Sequence, residues 1–189
     1  MRVRLDGART GLLCVMVCAM HRRLLAITLV LVLAAGSSAF AAQRGTPGPD
    51  HIVGTAGPDR INGRAGDDEI EGGRGADVLL GGAGVDRLFG GPGADVLTGG
   101  AGADLLTGDG GNDVLAGGPG ADTMLGGAGN DRIAARSGPG DVVAGGDGRD
   151  VISARDGARD RITCGSGRDR VIADRADMVA RDCEVVRRG

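Results

Sequence analysis

Hydrophobic positions along this chain are sparse and periodic. Ile61, Ile70, Leu79, Leu88, Leu97, Leu106, Leu115, Met124 and Ile133 recur at intervals of nine. Val143, Ile152, Ile162, Val171 and Val179 continue the series at steps of 10, 9, 10, 9 and 8. Each follows an aspartate by two places, without exception in fourteen. A period of nine is neither the 3.6 of an amphipathic helix nor the 2 of a long half-buried strand. Three residues around each hydrophobic position predict a very short strand. The six residues before them are rich in Gly, which accepts positive φ without steric cost and predicts a turn.

Nine residues are too few for a strand-helix-strand unit. They suit half a coil of a parallel β-solenoid, with 18 residues per full coil. Coils stack at roughly 4.8 Å, so six or seven of them would make a rod on the order of 30 Å long. One inward aliphatic side chain per nine residues makes a thin core. Its burial alone does not offset the conformational entropy of ordering nine residues, several of them glycine.

The second periodic feature is acidic. Asp59, Asp68, Asp77, Asp86, Asp95, Asp104, Asp113, Asp122 and Asp131 stand nine apart, and Asp141, Asp150, Asp160, Asp169 and Asp177 follow with the looser steps. Residues 18 apart fall on the same edge, one coil above the other. Two carboxylates about 5 Å apart repel by roughly 3 kcal/mol at an effective dielectric near 20. A column of them calls for counter-charge. Ca²⁺ suits it, because it takes 6–8 oxygen ligands, including carboxylates and backbone carbonyls. Mg²⁺ demands a smaller octahedron, and the repeats lack the His and Cys that zinc prefers.

Residues 72–80, GGRGADVLL, fit the pattern G-G-x-G-x-D-x-U-x. This resembles the calcium-binding nonapeptide of the RTX (haemolysin-type) family, and the resemblance runs from about residue 54 to 172. It implies an all-β, right-handed parallel β-roll of stacked repeats. It also implies ions held between successive turns of one edge by Asp59, Asp68, Asp77, Asp86, Asp95, Asp104, Asp113, Asp122, Asp131, Asp150 and Asp169. The remaining ligands would be carbonyls of the glycine turns: Gly72, Gly73, Gly75, Gly81, Gly82, Gly84, Gly90, Gly91, Gly93, Gly99, Gly100, Gly102, Gly108, Gly117, Gly118, Gly126 and Gly127. A lone Asp in such a turn would more simply cap its own backbone.

The two edges differ. The odd edge (Asp59, Asp77, Asp95, Asp113, Asp131, Asp150, Asp169) keeps a six-residue turn throughout. The even edge keeps it for Asp68, Asp86, Asp104 and Asp122, then degenerates to ARSGPGD (135–141), ARDGARD (154–160) and ADRAD (173–177). The expectation is about nine ions at most, one in each of six gaps on the odd edge and three on the even edge. Beyond Asp122, Arg136, Arg155 or Arg159 is expected to replace the ion by pairing with carboxylates.

The rest of the chain divides into a secretory signal region (1–42), a short lead (43–53), the roll (54–172) and a C-terminal cap (173–189). The signal reading rests on basic residues at 21–23, an apolar run over 24–35, and small residues ending in Ala39-Phe40-Ala41, with Met20 a plausible true start. The apolar run is too short to span a bilayer, so no stable membrane span is expected after processing. Cys164 and Cys183 are the two cysteines left after processing, and in an exported chain they predict a disulfide that ties the cap.

Composition narrows function. Removing residues 1–42 leaves 17 arginines against 24 acids, a net charge of −7. No Trp, no Tyr and only two Phe occur in the chain. An acidic, aromatic-poor surface excludes nucleic-acid binding as a leading reading. The lead is too short for a catalytic domain, and its only histidine, His51, has no accompanying Ser/His/Asp set. The expected function is an exported, non-catalytic protein that folds on Ca²⁺. The alternative is an extracellular adhesion, matrix or cell-surface module built on the same roll. A protein or surface partner is not specified by the sequence.

Overall fold

A computed structural model describes residues 28–31 and 41–188. Among these residues there are strands and turns but no helix. One sheet contains β1 (Thr28–Leu31), β3 (Asp50–Val53), β5 (Glu69–Glu71), β7 (Arg87–Pro92), β9 (Leu105–Gly110), β11 (Thr123–Ala128), β13 (Val142–Gly148), β15 (Arg161–Gly167) and β17 (Met178–Val179), in that order. The other contains β2 (Ala41–Arg44), β4 (Asp59–Ala65), β6 (Val78–Ala83), β8 (Val96–Ala101), β10 (Val114–Ala116), β12 (Arg132–Ala134), β14 (Val151–Ala154), β16 (Arg170–Ala173) and β18 (Val185–Arg188). Successive strands alternate between sheets, and all pairings within a sheet are parallel. The chain is therefore a parallel β-solenoid, as its periodicity predicts.

The register keeps the hydrophobic beat in line. Leu79 stands opposite Leu97, Leu97 opposite Leu115, and Leu88 opposite Leu106. Because side chains alternate across a strand, one residue of each x-U-x triplet points inward. Ile52, Ile70, Leu88, Leu106, Met124 and Ile162 face Ile61, Leu79, Leu97, Leu115, Ile133 and Ile152 across the interior, all at most 2% exposed. The one-residue insertions in turns 135–141 and 154–160 bulge within the turn. Val143 still pairs with Met124, and Ile162 with Val143.

The solenoid begins earlier and ends later than the spacing from Asp59 implies. Gly45-Thr46-Pro47-Gly48-Pro49-Asp50 has the frame of Gly54-Thr55-Ala56-Gly57-Pro58-Asp59, and Ile52 is fully buried two residues later. Residues 41–44 and 50–53, expected as part of the signal region and a lead, form β2 and β3. His51 lies on β3, with Nε2 3.4 Å from Glu71 Oε1. Thr28–Leu31, within the expected signal region, pairs with β3. The rest of residues 1–40, including Met20 and the basic start, lies outside the described residues. At the other end β17 and β18 add a last strand to each sheet, so the expected cap is strand-paired to the roll. Residues 54–172 hold β4 to β15 and most of β16, in line with the six or seven coils expected of that span, and the outer strands bring each sheet to nine among the described residues. Among the described residues no helix is long and apolar enough to cross a membrane.

Candidate metal centres in the turns

From β5 to β17 each strand begins just after an aspartate, so the folding of 18-residue coils stacks these acids in two columns. Asp50, Asp68, Asp86, Asp104, Asp122, Asp141, Asp160 and Asp177 form the even edge. Asp59, Asp77, Asp95, Asp113, Asp131, Asp150 and Asp169 form the odd edge. All are buried, none more than 6% exposed. One hydrogen bond repeats along both columns: the backbone N–H of each Asp donates to Oδ1 of the Asp one coil on. The distances are 2.8 Å for Asp77 to Asp95, 2.9 Å for Asp86 to Asp104 and 2.8 Å for Asp113 to Asp131. Asp122 to Asp141 and Asp141 to Asp160 follow suit at 2.8 and 2.9 Å.

This bond uses only one carboxylate oxygen. The other, Oδ2, is buried without any hydrogen-bond partner at Asp68, Asp77, Asp86, Asp95, Asp104, Asp113, Asp122, Asp131, Asp141, Asp150, Asp160 and Asp169. A buried, unpaired carboxylate oxygen is costly and suits a cation as its partner. Burial accordingly pushes carboxyls in both columns up. Asp68, Asp77, Asp86, Asp122, Asp150 and Asp160 are raised to about 6 and Asp113 to about 7. The N–H from the neighbouring coil pulls each back down in part, and neighbouring acids add to the rise. Asp95, Asp104, Asp131 and Asp141 are also raised by burial.

The glycine that opens each turn forms the opposite wall. A methyl placed on Gly72 would lie 2.6 Å from Asp77 Oδ2 and 2.7 Å from the carbonyl oxygen of Gly90, one coil on. On Gly90 it would lie 2.5 Å from Asp95 Oδ2 and 2.9 Å from Gly108 O. The same trio recurs at Gly81 with Asp86 and Gly99, at Gly99 with Asp104 and Gly117, at Gly108 with Asp113 and Gly126, and at Gly126 with Asp131 and Gly145. Only glycine leaves this space open between a carboxylate and a carbonyl. The second glycine has a different task. Gly100 has φ 119°, and a Cβ there would collide with Gly82 O, so glycine is what allows the coils to stack. Arg64 and Asp109 hold the equivalent position with φ of 90° and 71°, a left-handed backbone that such residues rarely adopt.

Oxygen donors, negative charge and an open glycine cradle together fit a hard divalent cation. The fold and its turns thus define a β-roll whose two edges each carry a column of buried aspartates. RTX calcium-binding nonapeptide repeats match this sequence in four copies, over residues 44–79, 80–115, 107–139 and 140–171. The chain belongs to the RTX calcium-binding repeat family. No curated protein shows a significant match to it.

Several expected site residues differ from the repeating plan. Asp59 caps its own turn: its Oδ2 accepts the Thr55 N–H at 2.5 Å and the Thr55 hydroxyl at 3.0 Å, leaving Oδ1 unpartnered. Asp50 does the same with Thr46. Thr at the second turn position supplies the donor that the glycine turns lack.

The expected arginine substitution does not occur. Among the described residues no arginine side-chain nitrogen lies within 4.0 Å of a carboxylate oxygen, and the one contact of a basic side chain with a carboxylate is that of His51 with Glu71. Arg136 Nε donates to Ser153 Oγ, and Arg159 reaches Met178 Sδ. What changes on the even edge is the cradle glycine. Ala135, Ala154 and Ala173 continue the column of Gly63, Gly81, Gly99 and Gly117, and all three are buried in the apolar core. A methyl takes the volume that glycine leaves open, so the regular cradle ends after Asp122.

Cys164 and Cys183 form a disulfide with Cα atoms 5.2 Å apart. Cys164 stands where turns of the odd edge have their cradle glycine, and its carbonyl lies 2.7 Å from the position of a methyl on Gly145. The cystine thus closes the odd edge with a covalent bond between coils. Two acids complete the columns: Asp177, the last of the loosened beat, and Glu184, which carries no nine-residue signal. The Asp160 N–H donates to Asp177 Oδ1 at 3.0 Å, and the Asp169 N–H to Glu184 Oε2 at 2.8 Å. Glu184 follows Asp169 by fifteen residues, so spacing alone could not find it. Asp50 was findable, nine before Asp59 in the same GTxGPD frame.

Proposed function

We propose that this protein is an exported, non-catalytic calcium-binding roll that completes its fold when Ca²⁺ enters the two columns. The observation that carries this reading is the repeated opposition of an unpartnered, buried Asp Oδ2 to an open glycine cradle. On the odd edge the ions would be held by Asp77, Asp95, Asp113, Asp131 and Asp150 with carbonyls of the glycine turns. On the even edge they would be held by Asp68, Asp86, Asp104 and Asp122. The bound cation neutralises the carboxylate columns. Binding free energy then becomes folding free energy.

At low calcium, such a chain has too little apolar surface to order itself. Export through an N-terminal signal, supported by the basic, apolar and small-residue order of residues 21–41, would deliver it to calcium-rich surroundings. Removal of the signal region (1–42) would take away β1 and the first two residues of β2 and leave β3 at the edge of its sheet. The test is far-UV circular dichroism of the chain from residue 43 in chelator and in millimolar calcium. A β signal that appears only with calcium is expected. A full β signal in chelator would refute calcium-driven folding.

A further inference from the structure

Turn 154–160 departs from the repeat in three ways that meet at one point. Its cradle glycine is replaced by Ala154, it contains one extra residue, and it carries a second acid, Asp156. One carboxylate oxygen each from Asp141, Asp156 and Asp160 lies within 4.8 Å of both others. Asp141 and Asp160 are 1% exposed. Their Oδ1 atoms are already occupied by the N–H groups of Asp122 and Asp141. Their Oδ2 atoms are buried and have no partner. Asp156 Oδ1 accepts the Ala158 N–H at 2.8 Å, and its Oδ2 is also buried and unpartnered. Three carboxylates therefore each spend one oxygen on a backbone N–H and keep the other, Oδ2, without a hydrogen-bond partner.

We propose that Asp141, Asp156 and Asp160 form a separate divalent-cation site of irregular design, in which the Asp156 carboxylate supplies a donor in a turn where the Ala154 methyl fills the space a cradle glycine would leave open. The site rests on the calcium-binding reading above but differs from the cradles in donor set. Three charges around one hard cation suit Ca²⁺ by oxygen chemistry and ligand charge. The even edge then continues to bind beyond Asp122 by a different means. Arg155 and Arg159 remain solvent-facing beside it, both exposed.

Asp156→Asn separates ligation from turn structure, because the amide oxygen still accepts the Ala158 N–H. Calcium bound per chain is measured by equilibrium dialysis on the wild type, Asp156→Asn and Asp67→Asn. Asp67 is an exposed acid whose Oδ1 caps the Val85 N–H at 2.8 Å in the same manner, outside any such cluster. The expected result is one ion fewer for Asp156→Asn and an unchanged count for Asp67→Asn, with the calcium-induced β signal kept in both. An unchanged count in Asp156→Asn overturns the third site and leaves the roll's calcium binding standing. No calcium bound by the wild type overturns both readings.

Discussion

Gly72→Ala tests whether the glycine cradle is an ion site or merely tight packing. The new methyl would sit 2.6 Å from Asp77 Oδ2 and 2.7 Å from Gly90 O, roughly 0.7–0.8 Å inside the ordinary contact limit of about 3.4 Å. Overpacking of this kind costs roughly 1–3 kcal/mol. If the cradle holds calcium, the methyl also excludes the ion. A ligand present at a hundred times its dissociation constant stabilises the folded state by about 2.7 kcal/mol. The calcium-loaded variant should therefore lose roughly 4–6 kcal/mol, equivalent to about 8–24 °C in melting temperature for a domain of this size. The chain already carries such methyls at Ala135, Ala154 and Ala173, so a fold without that cradle is accessible. Gly110→Ala is the control, since a methyl there meets nothing within 4 Å. The assay is thermal melting in millimolar calcium with a count of bound ions. If Gly72→Ala keeps the full count and melts with Gly110→Ala, the cradle is not a metal site.

Two further outcomes follow from the columns. Burial raises Asp113 to about 7 and six other aspartates of the two columns to about 6, above the unfolded value of 3.8. Such groups favour the metal-free roll below about pH 4, and that contribution is lost as pH rises through about 6 to 7. Metal-free protein should therefore gain β signal on acidification from about pH 7.5 to 4.5, while the calcium concentration at the folding midpoint rises as pH falls below about 7, since ions must displace protons; a midpoint indifferent to pH would contradict the buried-carboxylate argument. Reducing Cys164–Cys183, which closes a loop with separation 19, should cost about 3 kcal/mol and lower the calcium-loaded melting temperature. A melt unchanged by reductant would show that the last coil contributes no cooperative stability.

The strand-and-turn alternation, the parallel stacking and the two acid columns follow from the nine-residue beat, because one aliphatic residue per beat leaves a single way to build a core. Asp104 and Leu106 could be placed on edge and core from spacing alone. Other features could not. Asp59 and Asp104 share a beat, yet only the fold shows Thr55 donating to Asp59 Oδ2 while Asp104 Oδ2 is left unpaired. Glu184 enters the odd column after a fifteen-residue excursion, through a hydrogen bond that no period encodes.

The arginines of the degenerate turns offered charge complementarity in sequence, but their side chains point to a serine hydroxyl and a thioether. The quieter change from glycine to Ala135, Ala154 and Ala173 decides that edge. Sequence by itself determined the periodic architecture and the oxygen-rich chemistry, since both depend only on what repeats. Tertiary structure decided which oxygens remain free and which cradles remain open. Those depend on contacts between neighbouring coils and within single turns, as between Thr55 and Asp59, where a single methyl or hydroxyl changes the space available to an ion.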